Sequence, residues 1–458
     1  TVVGSRLVAE GRILPQVLNN SEDFQNELLR SFRNIVAGEI DGKNPEAVRD
    51  LLDFIAMVQP VEPNDPNFQE VAAKVLGRRF DKINRDMGAL EDAGVLLRRG
   101  RKLRIAPDLL ADYIRSDASY DDHNKRPTGY VDTVFSEVKD DLAKNLLINL
   151  SQLDWRLSAA GAQAELMAEV WANLEAQFKE AKIFGRQSLL KALAKISYYQ
   201  PKQALAFARL AMDNPVEDIE EDAKKYMLGH GTSYRYVVDE IAPLLRYVAY
   251  HEDYLRDALD MLKELADKDP RNSSQHPDHP IRILRDLAGI EPGKSVYFND
   301  LIVDHVLPWL DEPANDKFSP FDVLDEALAT EGQQSETKGL TLSLTPYKIN
   351  PEAVAEVRKK VIDAAFKQLL DADPRKAFRA LTTIEHSLES PHGLGAMGVT
   401  KDDIAKWEPG IIEALNRLEK VITENQLDPF LMVQMRGTLS TRARYDIPKI
   451  KAAASKVL

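Results

Sequence analysis

Leu90-Glu-Asp-Ala-Gly-Val-Leu-Leu-Arg-Arg-Gly-Arg-Lys-Leu-Arg-Ile-Ala-Pro-Asp108 decides the reading of the chain. Two short apolar-basic runs flank a turn at Arg99-Gly100, the pattern of a β-hairpin. Gly94 stands where a helix ending near Ala93 needs its C-cap residue. That helix carries Ile83, Met87 and Leu90 at spacings of four and three. Upstream, Asn44-Pro45-Glu46 combines an N-cap with proline at the first helical position. Leu51, Leu52, Phe54, Ile55 and Val58 then give a dense apolar face that ends at Pro60. A second helix with Val71, Ala72, Val75 and Leu76 stops at Gly77. Beyond the hairpin, Pro107-Asp108 opens a fourth helix with Leu109, Leu110 and Ile114 on one face. Three helices followed by a hairpin are the order of a winged helix-turn-helix domain, expected over residues 44–118.

The segment before it, 1–43, reads as helical; Val2–Glu10 and Ser21–Val36 are its clearest helices, the latter with an N-cap and acids in its first turn. Residues 119–330 read as an irregular array of helical hairpins. In one, Leu189, Leu190, Leu193 and Ile196 precede Tyr198-Tyr199-Gln200-Pro201, and Ala204, Leu205, Ala208 and Ala211 follow. Another runs from Ile241 to Ala266 about Tyr250-His251-Glu252-Asp253, and a third spans Val361 to Ile384 about Asp373-Pro374. No fixed period relates them, which argues against strict tetratricopeptide or ankyrin arrays. Between 312 and 350, Pro313, Pro320, Gly332–Thr337 and Lys338-Gly339 read as loops. Leu340–Thr345 alternates strictly and is expected to be a short strand. A C-terminal helical unit completes the last region, 331–458. The expected fold class is mainly α: a helical segment, a winged helix with one hairpin, and an irregular helical array.

The 458 residues contain no cysteine, so disulfides, thiolate metal sites and a cysteine nucleophile are excluded. No apolar run approaches the roughly 20 residues of a membrane span, and no signal peptide is visible, so the expected location is cytoplasmic with no membrane partner. Thr1 in place of an initiator methionine suggests a cut within a longer protein. The formal net charge is −13, a global charge that repels nucleic acid. Against it, Arg78, Arg79, Lys82, Arg85, Arg98, Arg99, Arg101, Lys102 and Arg104 outnumber Asp81, Asp86, Glu91 and Asp92 for a local +5. This basic surface either contacts phosphates, or docks on an acidic neighbouring domain or stays solvated; the second reading is favoured, since a charge cluster indicates a surface before it indicates a partner.

Two glycine-rich stretches match nucleotide-binding strings. Ala288-Gly-Ile-Glu-Pro-Gly-Lys-Ser295 fits a relaxed Walker A, but the preceding Pro280–Ala288 is amphipathic and helix-like where a P-loop needs a strand. Gly393-Leu-Gly-Ala-Met-Gly398 has dinucleotide-motif spacing without a βαβ unit around it. His276-Pro-Asp-His279 lacks the helical presentation that aims two histidines at one metal and reads as a turn with an N-cap before Pro280. No catalytic, cofactor-binding or metal-binding residue is assigned.

The order of elements resembles the region C-terminal to the P-loop core of STAND NTPases, the signal-transduction ATPases with numerous domains. Val2-Val-Gly-Ser-Arg-Leu-Val-Ala-Glu10 looks like the helix that follows the family's G-x-P nucleotide-sensing motif. Leu90–Asp108 looks like the winged-helix end of bacterial members, and Asn145–Leu157 like the opening of their helical region. The Walker motifs and G-x-P are missing from this chain. The resemblance therefore implies ATP and Mg²⁺ for an upstream domain only. It implies a regulatory and sensor region that contacts that ATPase domain and binds a protein trigger, with defence signalling in bacterial relatives. The alternative is a DNA-binding regulator using the basic winged helix.

Overall fold

The computed structural model describes residues 44–161, 165–217, 233–315, 317–338, 341–393, 398–424, 427–442 and 448–457. The helices expected at Val2–Glu10 and Ser21–Val36 lie outside them. The chain divides into two compact units, Thr1–Val237 and Val238–Leu458, and both are mainly helical.

The described part of the first unit starts with α1 (Pro45–Val58), α2 (Pro66–Val75) and α3 (Phe80–Asp92). Asn44 Oδ1 accepts the Glu46 amide at 3.0 Å, and Asp65 Oδ1 accepts that of Asn67 at 3.0 Å. Each cap precedes a proline whose missing N–H costs nothing in the first turn. Helix α3 ends because Gly94 takes φ +72°; the Gly94 amide then donates to Glu91 O and that of Val95 to Leu90 O, both at 2.9 Å. Those bonds satisfy orphan carbonyls and turn the chain into the hairpin. Strands β1 (Leu96–Arg99) and β2 (Lys102–Ile105) pair antiparallel, and Val61 adds a one-residue rung against Leu103. Phe54, Phe68, Ile83, Met87, Leu90, Leu96 and Leu103 close the core between helices and hairpin. Phe68 stacks on Phe54 and meets Phe80 edge-on, each at 6.0 Å.

Helix α4 (Asp108–Ser119) and the long α6 (Asp140–Ala159) both pack on α1, with the short α5 (Tyr130–Phe135) between them in sequence. Asn145 Nδ2 donates to Val58 O (3.2 Å) and Pro60 O (3.0 Å), and Asn149 Nδ2 to Met57 O and Gln59 O (both 2.9 Å). Two amides on one face of α6 thus hold the carbonyls where α1 ends. Then follow α7 (Ala168–Glu180), α8 (Ile183–Ala194) and α9 (Pro201–Asp213), the last two forming the hairpin about Tyr198–Pro201.

The second unit contains α10 (Ile241–Val248), α11 (Glu252–Lys268), α12 (Pro280–Ala288) and α13 (Val296–Val306). A 3₁₀ turn, Leu307–Asp311, follows, and a second one, Asp325–Leu328, comes after a single helical turn, Phe321–Leu324. The paired helices α14 (Ala355–Gln368) and α15 (Pro374–Ser387) come next, then α16 (Glu408–Glu424), α17 (Pro429–Arg442) and α18 (Pro448–Val457). Between the 3₁₀ turns and α14, Glu331–Lys338 pairs in antiparallel register with Thr341–Lys348. The segment read as a loop from 332 to 339 is therefore a strand over Glu331–Lys338. Its residues are polar and carry no alternation of their own, and the ladder is supplied by the alternating partner. Gly332 lies beneath the Tyr347 ring, where a Cβ would overlap the phenol, and Tyr347 Oη donates to Ile290 O at 2.9 Å. Among the described residues, no helix is long and apolar enough to cross a membrane.

Candidate functional site

Most of the nine basic residues have their charge answered locally. Arg78 pairs with the buried Asp86 and also donates to Ala47 O at 3.0 Å. Arg98 makes a two-pronged bridge to Glu91, both contacts at 2.7 Å, and holds that carboxyl below its ordinary range. Asp81 takes Arg79 at 3.0 Å and Arg85 at 3.6 Å, while Arg104 reaches Asp108 at 3.4 Å and Arg101 reaches Glu62 at 3.8 Å. Lys82, Arg99 and Lys102 remain exposed without an ion pair among the described residues. Leu97, 43% exposed, joins them on the outward side of β1. The net result is a small cationic rim with one apolar residue, much less than nine free cations.

The Walker-like stretch connects two helices. Helix α12 precedes it, and Ser295 caps α13 by accepting the Tyr297 amide at 3.3 Å. Lys294 Nζ donates to Gly289 O at 3.2 Å and to Asp286 O; burial lowers its pKa. Asn299 Nδ2 donates to Ala288 O at 2.8 Å and Gly289 O at 3.1 Å. The lysine and the asparagine thus close the C-terminal carbonyls of α12, and the lysine is not presented to a phosphate. Of the second glycine stretch, 394–397 lie outside the described residues. His279, 1% exposed, caps α12: its Nδ1 accepts the Ile281 amide at 3.2 Å, leaving Nε2 to face Asp269 at 3.6 Å. The histidine is a helix cap.

Buried arginines repeat the carbonyl-closing device. Arg186 donates to Ala181 O (2.9 Å) and Lys179 O (3.1 Å) at the end of α7 and to Asn214 O just past α9, its guanidinium lying 4.9 Å from the Phe178 ring centre. Arg115 donates to Ala56 O at 2.9 Å, and burial lowers its pKa to about 10. In the second unit Arg358 reaches Leu328 O, and Ser387 O at 3.4 Å, over the Trp407 ring; burial brings its pKa down to about 10 as well. The carbonyl ends of helices carry partial negative charge and four unpaired acceptors, so they help to satisfy a buried cation placed there; Arg115 adds an ion pair to Asp112 at 3.1 Å.

A cleft of about 1020 Å³ in the second unit had no signature in the sequence. It is assembled from α11, the Leu307–Asp311 turn, the loop after it, and the facing ends of α14, α15 and α17. Trp309 forms part of its wall, with Phe318 edge-on at 6.2 Å and the Lys263 ammonium 5.3 Å from the ring centre. Leu310 O accepts from Gln368 Nε2 at 3.1 Å and from Lys376 Nζ at 2.8 Å. Asn315 donates to Asp267 Oδ1 at 2.7 Å, and burial raises the Asp267 pKa. Phe378 and the 63% exposed Phe430 meet at 5.7 Å along its edge. The cleft has aromatic walls and polar groups fixed by hydrogen bonds.

No protein-family model and no curated protein matches the sequence. Among solved structures, the chain is similar to the crystal structure of an engineered protein at 12% identity and a TM-score of 0.22, over 63% of this chain and 94% of that one.

Proposed function

We infer that this chain is a regulatory and sensor region of a STAND-like signalling ATPase, working by protein recognition and without chemistry of its own. The observation that carries the reading is the module at 44–118. Three helices are followed by a hairpin, and the Val61 rung on β2 gives the small sheet its third member. That arrangement supports a winged helix-turn-helix. The irregular pairs α8–α9, α10–α11 and α14–α15 support a helical-hairpin array after it. The winged helix docks on the upstream ATPase domain, which binds ATP and Mg²⁺. The array binds a protein trigger, and the trigger shifts the whole protein between two states by binding one more tightly than the other. Bacterial defence is the setting that the family resemblance suggests.

Docking is favoured over nucleic-acid binding because the hairpin's arginines are largely engaged with their own carboxylates. A duplex DNA reader keeps such side chains available for phosphates. The test compares the trigger response of the full-length protein with that of a version lacking 119–458. An unchanged response after the deletion sinks the sensor reading. The DNA-binding alternative requires salt-dependent duplex binding that weakens when Lys82, Arg99 and Lys102 are changed to glutamine. No such binding is expected even at low salt.

A further inference from the structure

We propose that the cleft of the second unit is a peptide-binding site whose occupant is an extended acidic segment with aromatic or aliphatic anchors. The proposal rests on the reading of this region as a protein sensor and names the chemistry that the sensor takes. Three observations converge on it. First, the charge is complementary: Lys263, Lys317, Arg375, Lys376 and Arg379 line the cleft against two acids, Asp267 and Glu312, in a chain whose net charge is −13. Of these cations Lys263 is engaged by Glu312, Arg375 by Asp373 and Arg379 by Asp322. Lys317 and Lys376 have no carboxylate within ion-pair distance among the described residues.

Second, Gln368 is 5% exposed, its Nε2 is fixed on Leu310 O, and its Oε1 has no hydrogen-bond donor among the described residues. A buried acceptor without a donor carries a desolvation cost. That oxygen has almost no exposed surface, so a ligand donor meets it only as the side chain turns into the cleft; a backbone N–H of an extended chain provides such a donor and an ionised phosphate does not. Third, the cleft edge exposes apolar surface on α17: Phe430 at 63%, with Met432 and Val433 also exposed on the same helix. Anchors of a peptide pack against Phe378 and Phe430 while neighbouring carboxylates reach Lys376 and Lys317. The volume suits several residues of chain and exceeds what a small metabolite needs. Single-stranded nucleic acid is disfavoured, because it needs a run of open stacking faces, and Trp309, at 6% exposure, offers none beside the single exposed ring of Phe430.

The test uses the intact chain and fluorescence anisotropy. The probe is a labelled peptide alternating glutamate with phenylalanine and leucine. The controls are the same peptide with glutamine or lysine for glutamate, and an oligothymidylate. The acidic peptide should bind about tenfold or more tightly than the glutamine version, and the lysine version should not bind. Lys317→Glu and Phe430→Ala, both at exposed positions, should each weaken binding about tenfold with the thermal melt unchanged. Gln368→Met, which keeps volume and removes the acceptor, should weaken it also. Equal binding of the three peptides, no binding of the acidic one, indifference to Lys317→Glu and Phe430→Ala, or binding of the oligothymidylate in place of the peptide each overturns the proposal. Those failures leave the deletion experiment on the trigger response untouched, so this site and the sensor reading can fall separately.

Discussion

At the scale of single residues, the recurring device is a side-chain donor closing the carbonyl end of a helix. Arg115, Arg186 and Arg358 do it with a charge, Lys294 with an ammonium, and Asn145, Asn149 and Asn299 with neutral amides. The neutral case isolates the effect. Asn149→Ala leaves Met57 O and Gln59 O without that donor and should lower stability by about 1–2 kcal/mol in urea unfolding. A charged case of another kind sets a pH dependence. His386 Nδ1 lies 2.9 Å from Asp325 Oδ2, and that bond raises the histidine pKa above its ordinary 6.5. A raised folded-state pKa means the contribution is fully present below the unfolded value and is lost as pH rises through the folded one. The melting temperature of the second unit should therefore fall as pH rises from about 6 to about 8, a range that brackets ordinary histidine titration. In His386→Asn this component should vanish, and an identical slope would contradict the assignment. None of the carbonyl-closing roles is legible in the sequence, because any residue supplies a backbone carbonyl, and the His386–Asp325 pair joins residues 61 apart. The cap before Pro280 was partly legible, since the turn calls for one from Asp278 or His279, and His279 provides it.

Elements were legible wherever the signal is local. Asn44-Pro45, Gly77, Gly94 and the Arg99-Gly100 turn mark boundaries by backbone chemistry, and the helices and hairpin stand close to those marks. The strand Glu331–Lys338 was not legible, because a polar strand with no period of its own takes its structure from the partner across the ladder. Two glycines show how different the reasons for one residue type can be. Gly94 has open space around a would-be Cβ but sits at φ +72°, so Gly94→Ala should cost about 1 kcal/mol, all of it conformational. At Gly332 a Cβ collides with the Tyr347 ring. Gly332→Ala should cost about 1–3 kcal/mol in the wild-type background and much less in Tyr347→Ala, a coupling that a double-mutant cycle measures. Additive costs at 332 and 347 would refute the contact.

At the scale of the whole molecule, the chain divides into two compact units, and fragments 1–237 and 238–458 should each show a cooperative thermal transition. An unfolded fragment, seen by the absence of such a transition, would refute their independence. The cleft explains why function was less legible than fold. Its lining runs from Lys263 to Phe430, more than a third of the chain apart, and no window of sequence holds enough of it to show a pattern. The clamps of α6 on the end of α1 have a mechanical meaning as well. Asn145 and Asn149 lie one helical turn apart, and each grips two alternate carbonyls of the stretch 57–60 at one corner. Sliding α6 along its axis, about 1.5 Å of rise per residue, strains all four bonds together and frees none of them first. The corner shares its load as a rivet plate does, so a displacement of α6 pulls on the end of α1 as one piece.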